Sequence, residues 1–143
     1  MTGVLQHKHL IFRIETPTPP TDVIVLENWM KSLINKVGME LYAGPVVKYL
    51  NEVGNRGLTG VCVIKTSHLA LHCWDEPSPG IIQFDIYSCG QLNIEDVLEE
   101  LQAFNPSKIE YKFLDRESGL KLIGDSQSWK TRLFSFLKRL FKK

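Results

Sequence analysis

The sequence predicts an α+β fold: a two-layer sandwich in which a mainly antiparallel sheet carries two helices on one face. Three observations lead there. Strand-like and helix-like segments follow one another as strand, helix, three or four strands, helix, strand. The middle strands are joined by hairpin-length connections, too short for a parallel crossover, so they must pair antiparallel. Both helical segments carry a single apolar stripe, as helices that cover a sheet do.

The first strand is expected over His7 to Glu15, where Leu10, Phe12 and Ile14 alternate with more polar positions, and Thr16-Pro17-Thr18-Pro19-Pro20 ends it. Asp22 is placed to cap a helix whose Leu26, Trp29, Met30, Leu33, Ile34 and Val37 recur at helical spacing, with Gly38 as its stop. Met39 to Tyr49, interrupted by Gly44-Pro45, reads as a bent or edge strand. After the loop Gly54-Asn55-Arg56-Gly57 come two short strands, Leu58 to Ile64 and Leu69 to Trp74, separated by Lys65-Thr66-Ser67-His68. Pro77-Ser78-Pro79-Gly80 turns the chain into a strand from Ile81 to Ser88. Asn93 and Asp96 mark the start of a second helix with Ile94, Val97, Leu98, Leu101 and Phe104 as its stripe, halted at Asn105-Pro106. A last strand alternates Ile109, Tyr111 and Phe113 with Lys108, Glu110 and Lys112.

Length and charge bound the rest. A chain of 143 residues fits one domain with a core sufficient without disulfides or structural metal. The 17 basic and 16 acidic residues nearly cancel, but Lys130, Arg132, Lys138, Arg139, Lys142 and Lys143 lie at the very end. What precedes them is mildly acidic, unlike a nucleic-acid binder. Cys62, Cys73 and Cys89 are odd in number and form no CxxC, so reduced thiols in a cytoplasm are expected, and no metal site. No segment has the apolar run of a membrane span or a signal peptide. We divide the chain into a domain over 1–123 and a linker with a basic amphipathic helix over 124–143, in which Trp129, Leu133, Phe136, Leu137, Leu140 and Phe141 oppose the basic residues. Such a helix suits an anionic membrane surface or an acidic partner, or packing on the domain itself.

The chemistry concentrates between Thr59 and Gly90. Ser67, at or next to a tight turn, is placed to attack the carbonyl before it, convert the peptide to an ester and lose that ester by β-elimination, which leaves a pyruvoyl group on a new N-terminus. This needs a base and donors for the oxyanion, for which His72 and Thr59 are available. In a regular strand Ser67 and His72 point to opposite faces, so the idea requires Ser67 outside the regular alternation. The same residues also fit a turn serine beside a satisfied histidine.

Thr59-Gly60, Thr66-Ser67-His68-Leu69-Ala70-Leu71-His72, Trp74-Asp75-Glu76 and Tyr87-Ser88-Cys89-Gly90 together resemble the processing and active-site segment of the short prokaryotic S-adenosylmethionine decarboxylase proenzymes, and most closely the divergent branch of marine bacteria and their phages. The likeness runs from about His9 to Phe113 and includes Lys8-His9-Leu10 ahead of the first strand. It implies cleavage between Thr66 and Ser67, with Ser67 becoming the pyruvoyl cofactor, His72 and Thr59 assisting, Cys89 as the general acid that reprotonates the product carbon, and Glu76 on the ribose of the substrate. It implies a self-processing decarboxylase that makes the aminopropyl donor of polyamine synthesis, as a homodimer with its active sites near the interface. Thr66 stands where many members of the family have glutamate. Trp74, Tyr49 and Phe12 are the aromatics available to stack on adenine, or to serve as core. Two alternatives stay open: a pyruvoyl-dependent ornithine or arginine decarboxylase of the same fold, and an unprocessed homologue acting as a regulatory partner.

Overall fold

The computed structural model describes residues 5–127. Seven strands form one sheet: β1 (Lys8–Thr16), β2 (Leu41–Leu50), β3 (Gly57–Ile64), β4 (Ser67–Trp74), β5 (Gly80–Ser88), β6 (Lys108–Asp115) and β7 (Lys121–Asp125). Their order is β2-β3-β4-β5-β1-β6-β7, and every neighbouring pair is antiparallel. Helices α1 (Val23–Lys36) and α2 (Ile94–Leu101) lie on one face, α2 running on into a single 3-10 turn at Gln102–Phe104. The α+β two-layer architecture expected from the sequence is the one observed.

Alternation explains the layers. Leu10, Phe12 and Ile14 of β1, Leu69, Leu71 and Cys73 of β4, and Ile82, Phe84 and Ile86 of β5 are buried on the helix-bearing face. Against them α1 lays Leu26, Trp29, Met30, Leu33 and Ile34, and α2 lays Val97 and Leu101. Asp22 caps α1 by accepting from the Ile24 and Val25 N–H groups, and Asn93 caps α2 by accepting from Glu95. Gly60 lets α1 come close to β3, since a Cβ there would stand 2.9 Å from Met30 Sδ and 3.1 Å from Val47 Cγ2. Gly44, at φ +92°, sits where β2 slips register against β3, which makes β2 the bent edge strand that its Gly-Pro pair predicts.

The opposite face has no covering layer among the described residues. Val46, Val61, Val63 and Ile11 are exposed there, amid polar side chains. No helix among the described residues is long and apolar enough to cross a membrane. One boundary differs from the sequence reading: Gly124 and Asp125, assigned to a linker, belong to β7, which pairs with β6 through Phe113↔Gly124 and Lys112↔Asp125. That strand lacks a buried face, Lys121, Leu122 and Ile123 all being exposed, so it has no period-two pattern to read. The basic amphipathic helix expected from Trp129 to Lys143 lies outside the described residues.

Candidate active site

The reactive residues singled out in the sequence fall into two groups at opposite ends of β4. At one end β3 and β4 are joined by the two-residue turn Lys65-Thr66, with Ile64 opposite Ser67. Thr66 has φ +59°, a left-handed conformation that is costly for a β-branched residue, by roughly 1–3 kcal/mol. Ser67 is thus the first residue of β4, directly behind the strained position. Its Oγ accepts a hydrogen bond of 3.0 Å from the Cys89 N–H. Cys89 Sγ lies 2.6 Å from Thr66 Oγ1 and 3.8 Å from the Lys65 carbonyl oxygen.

Cys89 is held there by its neighbours. The buried Ser88 hydroxyl donates to the Gly90 carbonyl and accepts from the Gly90 N–H, each at 3.0 Å, which closes a turn around Cys89. The Gln6 N–H donates to the Cys89 carbonyl at 2.7 Å. The hydroxyls of Thr66 and Ser67 hold the Cys89 thiol below its usual range. Burial does the reverse to the other two cysteines, pushing Cys62 up to about 11 and Cys73 up to about 12, as core thiols behave.

The second group stands at the far end of β4. Thr59 and His72 face each other across β3 and β4, with Oγ1 3.2 Å from Nδ1. Trp74 lies beside His72, ring centroids 6.1 Å apart, and its Nε1 donates to Asn55 Oδ1. Leu50, Thr59, His72 and Trp74 line a recess of about 210 Å³. Glu76 accepts from the Gly54 N–H at 2.7 Å and lies 3.9 Å from Arg56. Of the other aromatics, Phe12 is excluded as a ligand platform: it is 2 % exposed, packed between Phe84 and Tyr111. Tyr49 pairs with Leu58 on the helix-bearing face and bonds Asp75 at 2.7 Å.

Within one chain His72 does not reach Ser67. Five positions of strand separate them, about 16 Å at a strand's rise, and the odd spacing turns their side chains to opposite faces. The expectation that His72 and Thr59 support Ser67 is therefore not met in cis.

Between the two groups lies a polar network that the sequence reading did not single out. Asp85 Oδ2 bridges His9 Nε2 at 2.9 Å and His68 Nε2 at 2.8 Å. Arg116 approaches His9 Nδ1 at 3.2 Å and covers the Tyr87 ring at 4.7 Å. A guanidinium only donates, so Nδ1 of His9 is the acceptor and its proton sits on Nε2, facing Asp85. The three atoms cluster as metal ligands would, yet they form a hydrogen-bonded clamp in which the His9 lone pair already serves Arg116. Register alone could have revealed it: His9 and His68 both stand opposite Tyr87, and Asp85 lies diagonal to each. A neighbouring cavity of about 500 Å³ is lined by Arg13, His72, Gln83, Asp85, Glu110 and Lys112.

Comparison with known proteins adds to this geometry. The family model described as S-adenosylmethionine decarboxylase matches residues 15–117. A protein of Archaeoglobus fulgidus named S-adenosylmethionine decarboxylase proenzyme is 27% identical over 97 residues, 66% of this chain and 85% of that protein. Proteins of the same name from Acetivibrio thermocellus and Methanococcus vannielii are 36% and 39% identical over 74 and 57 residues. Those two alignments cover 49% and 38% of this chain and 56% and 45% of the relatives, so they span about half of each relative's length. Among solved structures, the adenosylmethionine decarboxylase of Aquifex aeolicus superimposes with a TM-score of 0.60 at 17% identity, covering 84% of this chain and 96% of the other, a likeness of fold.

Proposed function

The chain belongs to the S-adenosylmethionine decarboxylase family, and on that premise we propose that it is a self-processing, pyruvoyl-dependent enzyme that decarboxylates S-adenosylmethionine in the cytoplasm and so provides an aminopropyl donor for polyamine synthesis. The observation that carries this reading is the seating of Ser67: its hydroxyl rests on the Cys89 N–H, directly behind the left-handed Thr66. Strain in Thr66 favours attack on its carbonyl, because breaking the Thr66–Ser67 bond frees that residue from the turn. A serine so placed fits the precursor of a pyruvoyl group.

Once formed, the group supplies the electron sink for loss of carbon dioxide. Cys89, in contact with residues 66 and 67, holds the proton for the product carbon. Trp74 borders a recess with His72, and Glu76 follows it two residues on; the large ring suits stacking on an adenine, and the carboxylate suits the paired hydroxyls of a ribose.

These groups act together in a homodimer. The uncovered face, with Val46, Val61, Val63 and Ile11 exposed, suits a second copy packed sheet to sheet. A two-fold axis near the middle of β4 exchanges its ends, bringing Thr59, His72, Trp74 and Glu76 of one copy to Ser67 and Cys89 of the other. This arrangement would overcome the distance along β4 that separates His72 from Ser67 within one chain.

Intact mass spectrometry of the purified protein tests the reading. We expect two fragments divided between Thr66 and Ser67, the larger reactive towards carbonyl reagents, and carbon dioxide release from S-adenosylmethionine in preference to ornithine or arginine. A folded chain that stays whole, or release from ornithine or arginine alone, overturns it.

A further inference from the structure

Cleavage at this turn leaves a second product besides the new N-terminus, and its position follows from the fate of a single atom. In the acyl shift, Ser67 Oγ bonds to the Thr66 carbonyl carbon, the C–N bond breaks, and the hydroxyl proton passes to the Ser67 nitrogen. In the elimination, a base removes the Ser67 Cα proton, the Cβ–Oγ bond breaks, and its electron pair leaves on Oγ. Tautomerisation and addition of water then release ammonia and leave the ketone, whose oxygen comes from water. Ser67 Oγ therefore ends as one of the two oxygens of a new Thr66 carboxylate. It is the atom that the Cys89 N–H holds at 3.0 Å.

The geometry points to a role for that carboxylate: retained by the Cys89 N–H beside Sγ, it keeps the thiol protonated in the mature enzyme, so that the cut which creates the cofactor also arms its acid. The inference rests on the processing proposed above and goes beyond it, because it concerns the β3 side of the break and the state of Cys89.

The uncut chain shows why such a change is needed. There the hydroxyls of Thr66 and Ser67 favour the thiolate, so the thiol gives up its proton more readily than an ordinary cysteine. Cleavage removes one of those hydroxyls and replaces it with an anion, which disfavours a second negative charge close by. The charged groups on the surrounding elements are Lys65 with Glu40 at 3.9 Å, Lys8 with Asp115 at 2.8 Å, and Asp85, which is linked through His9 to the Arg116 guanidinium. Each of those groups engages a partner of its own, whereas the Thr66 carboxylate would be formed directly beside Cys89 Sγ. Thr66 is in this sense a positioning residue, set against Sγ through its own Oγ1.

The test reads thiol ionisation and needs no turnover. Iodoacetamide alkylation of Cys89 is followed against pH by site-resolved mass spectrometry in cleaved wild type, in Ser67→Ala and in His72→Ala. The first variant has no Oγ and stays whole; the second retains Oγ and supplies another whole chain should the first fold poorly. The expected midpoints rise from His72→Ala to Ser67→Ala to cleaved wild type. A one-unit rise would slow alkylation about tenfold at a fixed pH below both midpoints. A cleaved protein whose midpoint is no higher than that of Ser67→Ala overturns the inference and leaves the processing reading intact. Wild type that remains whole by mass overturns both.

Discussion

Thr59 Oγ1 lies 3.2 Å from His72 Nδ1, a contact made across two paired strands at the end of β4 remote from Ser67. The pair is built into the sheet, so its position is fixed by register and not by a loop. A group held this firmly cannot swing about 16 Å to meet the turn. If it acts on Ser67, it acts on that of another copy.

Mixed variants test that arrangement directly. Ser67→Ala cannot be cut but still offers His72, whereas His72→Ala offers an intact Ser67. Co-expressed with distinguishable tags, they should yield cleaved His72→Ala chains, while His72→Ala alone remains whole or is cut more than tenfold more slowly. Tag-resolved mass spectrometry reads the result, and equal cleavage of His72→Ala with and without its companion would place the assistance within one chain.

Glu76→Gln separates substrate binding from processing. The carboxylate lies outside the Ser67 turn and bonds the Gly54 N–H, so cleavage should proceed as in wild type. Loss of a charged hydrogen-bond acceptor is worth about 1.5–3 kcal/mol, which corresponds to roughly a 10- to 150-fold rise in KM for S-adenosylmethionine. Steady-state kinetics on fully cleaved protein checks this; an unchanged KM removes Glu76 from the ribose.

Asp85 makes stability depend on pH in a defined direction. Burial raises its carboxyl, but hydrogen bonds from His9 and His68 outweigh that and hold it below the usual carboxylate range. The folded state thus binds this proton less readily than the unfolded chain. Its contribution is complete above the ordinary aspartate value, about 3.9, and is lost as pH falls through the lower folded value. Asp85→Asn should melt below wild type at pH 7, with the gap narrowing on acidification below the aspartate range. Thermal unfolding monitored by circular dichroism across that range decides it; a gap that widens in acid contradicts the assignment.

Gly60→Ala probes the contact between α1 and β3. The added methyl would meet Met30 Sδ and Val47 Cγ2, an overpacking expected to cost about 1–3 kcal/mol. Urea unfolding measures the loss. A double-mutant cycle with Met30→Ala should recover part of it, since the two side chains share one space.

Much of this was legible before the fold was seen. The buried stripe of α1 and the alternation of β1, β4 and β5 are apolar patterns of period 3.6 and 2, and they appear in the structure as expected. The capping side chains Asp22 and Asn93 were also readable, because each acts on the residues immediately after it. What stayed hidden depends on distant pairing. The odd spacing of Ser67 and His72 warned that they diverge, but only the β3–β4 register shows His72 matched with Thr59 and Ser67 with Ile64. Likewise nothing local in His9, His68 or Asp85 announces their clamp, because they lie on three different strands.

The order of the sheet also determines what a break in the Lys65-Thr66 turn would leave behind. Residues up to Thr66 supply β1, β2 and β3, and those from Ser67 supply β4 to β7. Yet β1 is threaded between β5 and β6, so the earlier piece is gripped on both sides by the later one, while β3 lies against β4. Two polypeptides made by such a cut would be interleaved, joined by three ladders, and neither could leave without dismantling the other's half of the core. Assembly would have to precede such a scission: the intact chain can find this weave by folding, but the severed pieces, once unfolded, would have to meet by diffusion and rethread a strand between two partners.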